Sequence, residues 1–260
     1  MTQLYDTIGE GYDSTRQADP YLAGRLFELL QPQEGKEYLD LGCGTGNYTA
    51  ALAEKGLRLC GVDPSEKMLR EAEARSKKVR WLRGTAAQLP LGDETFSGAL
   101  ATLTVHHWTD LERSFAEIFR VLKKQSRLVF FTADPGQIKG YWLAHYFPRM
   151  LHDSVVTMPA IETLCAAAGK AGFKVAAKEP YSVRDDLRDL FLYAGKNRPE
   201  LYFDENVRKG ISSFAVLANA AEVEEGLRRL RADIDSGALE QIKSRYENDL
   251  GDYLFLVFEK

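Results

Sequence analysis

Two carboxylates close to a glycine-rich turn are the residues of this sequence that most clearly suit the binding of a ligand. Asp40 lies just before the turn Gly42-Cys43-Gly44-Thr45-Gly46, and Asp63 follows Gly44 by 19 residues. Glycines let a backbone approach a ligand closely, and a carboxylate at about that distance holds a ribose diol in nucleotide-binding sheets. The arrangement predicts a nucleotide-type ligand. Asp40 favours a ligand with a positive charge, because it would repel a pyrophosphate.

The spacing of the glycines favours one kind of nucleotide site over another. Dinucleotide dehydrogenases carry Gly-x-Gly-x-x-Gly, whereas the third glycine here, Gly46, comes one residue early. A nicotinamide-dependent oxidoreductase is therefore the less favoured alternative. A second alternative is a tight structural turn that binds no ligand.

The segments that must position these residues alternate between strand and helix. Strands are predicted at 37–41, 58–62, 79–82, 96–101 and 127–132, with helices over 47–55, 65–75 and the segment after Thr109. Such alternation requires right-handed crossovers and a parallel sheet covered on both faces. We therefore predict an α/β fold with a doubly wound, mostly parallel sheet, completed to seven strands by segments 173–177 and 252–260.

The second half of the chain has a different sequence pattern, with helical rather than alternating periodicity. No strand is obvious between 181 and 251, and the apolar stripe Val223, Leu227, Leu230 and Ile234 marks an amphipathic helix. We expect one domain formed by residues 1–180 and 251–260, with a helical cap at 181–250 inserted before the last strand. The spacing leaves open whether this cap is a lid over a substrate or an interface.

Composition excludes several classes of function. The chain has 260 residues and a net charge of −4. It therefore has no overall positive charge that would attract nucleic acid or an anionic membrane. Three widely spaced cysteines suit a reducing compartment, and the start of the chain does not resemble a signal peptide, which together predict a cytoplasmic protein. No residue set has the spacing of a metal site. Oligomeric state stays open.

Several segments in order resemble the motifs of class I S-adenosylmethionine-dependent methyltransferases, particularly the type 11-like small-molecule methyltransferases. The matching segments are 38–46, 61–69, 84–91, 105–110 and the helix–strand pair that begins at Glu117. Together they cover about half of the chain, roughly residues 5–133. The resemblance implies the Rossmann-like methyltransferase fold for this part of the chain.

The resemblance also implies S-adenosyl-L-methionine as cofactor and a role for each matching residue. Asp40 would lie under the charged end of the cofactor, and Asp63 would bind the ribose hydroxyls. The other implied contacts are Gly42, Cys43 and Gly44 with the methionine part, Pro64 and Met68 with the faces of the adenine, and Thr85, Ala86 and Leu103 with its edge. Met68 suits a core position equally well.

The N-terminal segment resembles the leading segment that closes over the cofactor in this family. Tyr5, Gly9, Tyr12 and Arg16 fall near one helical stripe. Tyr12 could cover the sulfonium with its ring face, and Arg16 could pair with the cofactor carboxylate. The alternative is a helix that merely packs two aromatic rings on the sheet edge.

His106 and His107 follow the fourth predicted strand, at the edge where open α/β sheets bind ligands. An ordinary histidine pKa would suit proton removal from an acceptor. Adjacent residues on a strand or in a tight loop point in opposite directions, so we expect at most one of them to face the substrate. Alternatively, one packs with Trp108 and the other bonds to the backbone.

An aromatic run follows the fifth predicted strand, again at the carboxyl edge. Trp142, His145 and Tyr146 are the candidates for a substrate pocket roofed by the cap. The same run would also serve as a hydrophobic joint that holds the cap down.

The sequence thus predicts an enzyme that transfers a methyl group from S-adenosylmethionine to a small-molecule acceptor by in-line displacement, giving S-adenosylhomocysteine. His106 and His107 are the candidate catalytic residues. A cofactor-binding partner protein without turnover is the alternative within the same fold, because fold does not secure function.

Overall fold

A seven-stranded sheet forms the centre of the computed structural model, which describes residues 15–260. The strands are β1 (Glu37–Leu41), β2 (Arg58–Asp63), β3 (Arg80–Arg83), β4 (Phe96–Thr102), β5 (Leu122–Thr132), β6 (Lys174–Tyr181) and β7 (Tyr253–Glu259). Their order across the sheet is β3-β2-β1-β4-β5-β7-β6. Strands β1 to β5 pair in parallel, whereas β7 is antiparallel to both β5 and β6. The predicted doubly wound, mostly parallel seven-stranded sheet is confirmed.

Helices alternate with the strands and cover both faces of the sheet. They are α1 (Pro20–Leu30), α2 (Asn47–Glu54), α3 (Glu66–Arg75), α4 (Leu111–Val121), α5 (Pro135–Lys139), α6 (Pro148–Thr157), α7 (Ile161–Ala171), α8 (Glu205–Gly210), α9 (Ala220–Ser236) and α10 (Leu239–Ser244). Short 3₁₀ turns occupy Val105–His107, Trp142–His145 and Pro199–Phe203, and a π-helical turn occupies Ser213–Leu217.

The strand β1 shows why the sheet is buried on both faces. Leu39 and Leu41 join a hydrophobic cluster that includes Phe115 of α4. Tyr38 joins the second cluster, which includes Leu26 of α1. Because successive side chains of a strand point to opposite faces, these clusters lie on the two sides of the sheet. The strands therefore need continuous apolar sequence, as central parallel strands do.

The parallel strands bring the ends of β1, β2 and β4 to one edge of the sheet. The glycine turn follows β1, and the amides of Gly42 and Cys43 donate to the carbonyl of Val62 near the end of β2, at 2.8 and 3.1 Å. The 3₁₀ turn with both histidines follows β4. Three sequence-distant segments thus meet at this edge.

The start of β5 differs from the predicted one, because its backbone pairs with a segment that is distant in sequence. Strand β5 begins at Leu122 rather than near residue 127. The Gln125 amide donates to the Lys260 carbonyl, and the Lys260 amide donates to the Ser126 carbonyl. The end of the chain therefore extends the ordered backbone at the start of β5. Between β6 and β7, residues 182–252 are described throughout and contain no strand, as predicted for this segment.

Candidate active site

A cavity of about 390 Å³ lies at the carboxyl edge of the parallel strands. Its sheet-edge lining consists of Asp40, Gly42, Cys43, Gly44, Thr45, Asn47, Tyr48, Asp63, Pro64, Met68, Thr102, Leu103, Thr104, His106 and His107. Its cap-side lining consists of Ala133, Ile138, Ser154, Thr157, Met158, Phe191, Leu192, Ile211, Ser212, Ser213, Val216, Leu217 and Tyr253. The side chains of Arg16 and Asp189 complete the wall. The volume is within the usual range for small-molecule sites.

The three glycines of the turn have different surroundings. All three have positive φ angles, of 67° at Gly42, 54° at Gly44 and 76° at Gly46. A Cβ at Gly42 would lie 2.0 Å from the Thr104 hydroxyl, and one at Gly46 would lie 2.5 Å from the Trp81 ring. A Cβ at Gly44 would meet nothing within 4 Å. Gly42 and Gly46 are therefore required by packing, whereas Gly44 is the position at which the backbone is open to the cavity.

Asp63 holds the glycine turn in place. One carboxylate oxygen accepts from the Gly44 amide at 2.9 Å, and the other accepts from the Ser65 amide at 2.9 Å. Burial raises the pKa of Asp63, and the two amide hydrogen bonds oppose that rise. Each carboxylate oxygen can accept a second hydrogen bond, so Asp63 can support the turn and still bind a ligand hydroxyl.

Asp40 is a buried carboxylate that has one side-chain hydrogen-bond partner among residues 15–260. Its Oδ2 accepts from the Thr49 hydroxyl at 2.5 Å, and only 3% of the residue is exposed. Burial raises the pKa of Asp40 to about 7, against the lowering effect of the Thr49 hydrogen bond. A positive charge placed in the cavity would favour the ionised form.

Both histidines line the cavity, which contradicts the expectation that at most one could face it. They belong to the 3₁₀ turn Val105–His107 rather than to extended chain, so strand alternation does not apply. Their ring centroids are 3.9 Å apart. Burial lowers the pKa of His107 to about 4 and that of His106 well below its ordinary value, so both are neutral at neutral pH. Within residues 15–260, the buried Nδ1 of His106 has no hydrogen-bond partner.

Arg16 and Asp189 connect the start of the described chain to the cap. The Arg16 Nε donates to Asp189 at 2.5 Å, and the Tyr48 hydroxyl donates to the same carboxylate at 3.0 Å. The Arg16 guanidinium also donates to the Gly210 carbonyl at 3.3 Å. Arg16 therefore lies at the cavity, as predicted, but its guanidinium pairs with a cap residue. Tyr12, the other predicted contact, lies outside the described residues.

The residues predicted to border the adenine separate into two groups. Pro64, Met68 and Leu103 line the cavity together with Cys43, whose pKa is raised well above its ordinary value by burial. Thr85 and Ala86 do not belong to the lining. Thr85 is exposed, and its backbone exchanges two hydrogen bonds with Gln88 in a tight turn. The structure thus does not bring Thr85 and Ala86 to the cavity, because this turn closes on itself beyond the end of β3.

Trp142, His145 and Tyr146 also lie away from the cavity lining. The Trp142 indole N–H donates to the Lys196 carbonyl at 3.3 Å, and the Tyr146 hydroxyl donates to Asp233 at 2.9 Å. His145 Nε2 is 2.9 Å from the Arg229 guanidinium. The assignment of these three residues to a substrate pocket is therefore not supported by the geometry. His145 and Tyr146 hold α9 of the cap through Arg229 and Asp233, and Trp142 holds an earlier cap segment through Lys196.

The cap contributes lining residues that sequence reasoning missed. Phe191, Leu192 and the segment 211–217 reach the cavity, whereas the stripe of α9 does not. A Cβ at Gly226 of α9 would lie 2.4 Å from Phe147, so this helix packs on the aromatic run. Residues of the first half of the cap thus share a cavity with the glycine turn, whereas α9 in the second half packs on the aromatic run. Only the serine pair Ser212-Ser213 inside an apolar stretch gave a local signal for this role.

The sheet-edge lining fits a ligand that carries a positive charge on a nucleoside. It offers an open backbone at Gly44, a carboxylate with a spare lone pair at Asp63, and a buried carboxylate at Asp40. A cation beside Asp40 would offset the cost of keeping that carboxylate ionised away from water. These features match S-adenosylmethionine, whereas the carboxylate of Asp40 would repel a pyrophosphate. Among the described residues there is no His, Cys, Asp or Glu group that could hold a metal ion. No helix in residues 15–260 is long and apolar enough to cross a membrane.

Comparison with known proteins shows the family. Residues 39–130 match the family model described as a methyltransferase domain. A demethylmenaquinone methyltransferase of Thermotoga maritima is 31% identical over 201 residues, which are 67% of this chain and 88% of that protein. A demethylmenaquinone methyltransferase of Thermus thermophilus is 31% identical over 202 residues, which are 66% of this chain and 92% of that protein. The chain belongs to the family of S-adenosylmethionine-dependent methyltransferases.

Solved structures extend the likeness to the cap. A protein of Anabaena variabilis, described as a methyltransferase from an antibiotic biosynthesis pathway, is 35% identical with a TM-score of 0.84. The match covers 95% of this chain and 99% of that one, so it includes most of the cap. A geranyl diphosphate methyltransferase in complex with geranyl diphosphate and sinefungin has a TM-score of 0.56 at 16% identity, over 92% of this chain and 77% of that one, and shows the fold alone. The chain is a methyltransferase by family and fold.

Proposed function

We propose that this chain binds S-adenosylmethionine along the sheet-edge lining and transfers the methyl group to a small-molecule acceptor against the cap-side lining. The observation that carries the proposal is that one cavity joins the open backbone of Gly44, flanked by Asp40 and Asp63, to an apolar cap wall. The methyl donor and the methyl acceptor would therefore lie side by side in the same cavity.

The sheet-edge residues would hold the cofactor by charge and shape. Asp63 would accept from the ribose hydroxyls through the lone pairs that Gly44 and Ser65 leave free. Asp40 would face the positively charged end, and Pro64 and Met68 would pack on the adenine. When bound, the cofactor supplies a methyl group made electrophilic by its sulfonium. Alignment of that methyl with the acceptor is then the main task of the protein.

The two histidines would take the proton from a neutral acceptor. Their lowered pKa values keep both rings neutral, which is the form that can accept a proton. His106 and His107 are both candidates because both line the cavity, and their lowered pKa values make each a weaker base than an ordinary histidine. As the methyl group is transferred, the proton of the acceptor oxygen or nitrogen would pass to a ring nitrogen of one of these histidines. The other product would be S-adenosylhomocysteine, with the electron pair of the broken carbon–sulfur bond on sulfur.

Labelling with a metabolite extract tests the proposal. The protein is incubated with S-adenosylmethionine carrying a ¹³C-methyl group, and products with the added mass are identified by mass spectrometry. We expect S-adenosylhomocysteine and at least one labelled small molecule, neither of which forms with Gly44→Val protein. Binding of the cofactor without any labelled product would instead support a cofactor-binding protein without turnover. Failure of binding itself would contradict the proposed site.

A further inference from the structure

The cap-side lining has a composition unlike that of a site for an ionic molecule. Its apolar members are Ala133, Ile138, Met158, Phe191, Leu192, Ile211, Val216 and Leu217. Its polar members are hydroxyl groups, from Ser154, Thr157, Ser212, Ser213 and Tyr253. Apart from Asp189, which is paired with Arg16, no lysine, arginine, aspartate or glutamate of the described chain lies on this side of the cavity.

The cations near the cavity do not change this chemistry. Arg16 is the arginine of the described lining, and its guanidinium already pairs with Asp189 at 2.5 Å. The two histidines are neutral at neutral pH because burial lowers their pKa values. Residues 1–14, which precede the described chain, contain no lysine or arginine. A phosphate or carboxylate on the acceptor would lose its water without gaining a cation of its own, which is unfavourable.

A serine pair supplies one polar anchor within the apolar wall. The hydroxyl oxygens of Ser154 and Ser213 are 2.9 Å apart, and the Ser154 hydroxyl is also 2.9 Å from the Met150 carbonyl. If Ser154 donates to Met150, Ser213 donates to Ser154 and keeps free lone pairs. If Ser154 donates to Ser213, the Ser213 proton is free. Ser213 can therefore bond to either a hydroxyl or a carbonyl of a ligand.

The backbone explains why Ser213 and its apolar neighbours share the cavity. The segment Ser213–Leu217 forms a π-helical turn, a geometry that often occurs at functional sites. Ser213, Val216 and Leu217 of this one turn all line the cavity. The anchor and part of the apolar surface thus belong to one turn of the cap.

We propose that the methyl acceptor is an uncharged, largely apolar molecule with one hydroxyl or carbonyl group, bonded by Ser213. The inference rests on the proposed function, because the cap-side lining is an acceptor site only if the sheet-edge lining holds the methyl donor. It excludes acceptors recognised through a phosphate or a carboxylate. Ser213 would act as a specificity-determining residue that orients the acceptor.

Matched alcohols and phosphates test the inference. Calorimetry first establishes that S-adenosylhomocysteine binds, and the saturated protein is then titrated with 1-naphthol, 1-octanol, 1-naphthyl phosphate and octyl phosphate. We expect at least one alcohol to bind, and its phosphate to bind about tenfold more weakly or worse. Equal or tighter binding of the phosphates would overturn the inference, as would failure of both alcohols. Failure of S-adenosylhomocysteine to bind would instead count against the proposed function.

Two variants separate the anchor from the apolar wall. Ser213→Ala should weaken the bound alcohol about three- to tenfold, the loss expected for one hydrogen bond, and leave naphthalene binding unchanged. Ser244→Ala, on an exposed serine of the cap, is the matched control and should change neither affinity. Leu217→Lys should raise phosphate binding relative to the alcohol. Equal losses for alcohol and naphthalene in Ser213→Ala would contradict the anchor.

Discussion

The two linings of the cavity differ in charge and in the way the chain builds them. The sheet-edge lining carries Asp40 and Asp63 near the ends of β1 and β2, and two histidines on the turn that follows β4. The cap-side lining is apolar with hydroxyl groups and comes from α5, α6, β7 and the cap. A charged donor and an uncharged acceptor thus find different surroundings within one cavity. The comparison shows that the sheet and its loops provide the lining proposed for the cofactor, whereas the cap provides much of the lining proposed for the acceptor.

The bonds that support each lining show the same division. On the sheet edge, the Asp63 carboxylate binds the Gly44 and Ser65 amides, and these contacts belong to the central sheet and its loops. On the cap side, the pairs Arg16–Asp189 and Ser154–Ser213 join segments that are 173 and 59 residues apart. Changes on one lining should therefore affect one ligand and spare the other.

The largest expected effect is that of Gly44→Val on the cofactor alone. The valine side chain would occupy the cavity where the backbone is open, so S-adenosylmethionine affinity should fall about 100-fold or more. Gly237→Val is the matched control, because Gly237 has a φ of 77° and equally open surroundings but lies outside the cavity lining. Calorimetry on both folded variants measures the effect. Undiminished affinity in Gly44→Val would break the assignment.

His106→Gln should slow the chemistry without weakening the cofactor. Removal of a positioned general base lowers kcat by roughly 10²- to 10⁴-fold. The acceptor is the one identified by labelling, and Kd for S-adenosylmethionine should change by less than about threefold. His152→Gln, on an exposed histidine of α6, is the control. Unchanged kcat in His106→Gln would remove this residue from the mechanism.

Asp63→Ala should weaken both S-adenosylmethionine and S-adenosylhomocysteine. The ribose hydroxyls would lose a charged acceptor, a loss of about 1.5–3 kcal/mol, which is about 10- to 150-fold in affinity. The Gly44 and Ser65 amides would lose their partner as well, so the turn would be less well held. Equilibrium titration with both ligands measures the change. An effect below about twofold would mean that Asp63 only supports the turn.

Asp40→Asn should stabilise the protein without ligand and weaken the cofactor. The pKa of Asp40 is raised from 3.8 to about 7, so the folded state binds this proton more tightly than the unfolded chain. The stability that this proton contributes is complete below about pH 4 and is lost as the pH rises through 7. At pH 8 the variant should therefore be more stable by on the order of 2–4 kcal/mol, and at pH 5 by less.

Thermal unfolding at the two pH values checks the stability effect. Asp93→Asn, which changes an exposed carboxylate, serves as the control. A lower melting temperature for Asp40→Asn than for wild type at pH 8 would show that the carboxylate is a structural group and not one kept for a ligand.

The sequence allowed much of the sheet-edge lining to be predicted, but not Asn47, Tyr48, Thr102 or Thr104. The roles of the predicted residues in cofactor binding stay predictions. The glycine turn, Asp40, Asp63, Pro64 and Met68 lie where their spacing placed them, because short loops at strand ends leave little freedom. Thr85 and Ala86 are exceptions, since their turn closes on itself through hydrogen bonds that spacing does not reveal.

The cap-side lining could not be predicted to the same extent. Trp142 and Tyr146 have the residue types of a pocket wall, yet those types suit a buried joint equally well. Asp189 reaches the cavity through its pairing with Arg16, a contact that no local pattern encodes. Both histidines line the cavity because successive residues of a 3₁₀ turn are about a third of a turn apart and do not point in opposite directions.

The pH dependence of cofactor binding tests the central claim most directly. Calorimetric titration of wild-type protein with S-adenosylmethionine and S-adenosylhomocysteine is carried out at pH 6 and pH 8. Between these values Asp40, with a pKa of about 7, changes from mostly protonated to mostly ionised. We expect S-adenosylmethionine affinity to rise up to about tenfold at pH 8, S-adenosylhomocysteine affinity to rise less, and the difference to vanish in Asp40→Asn. Absence of binding, or equal pH dependence for both ligands, would contradict a cavity built for a positively charged methyl donor.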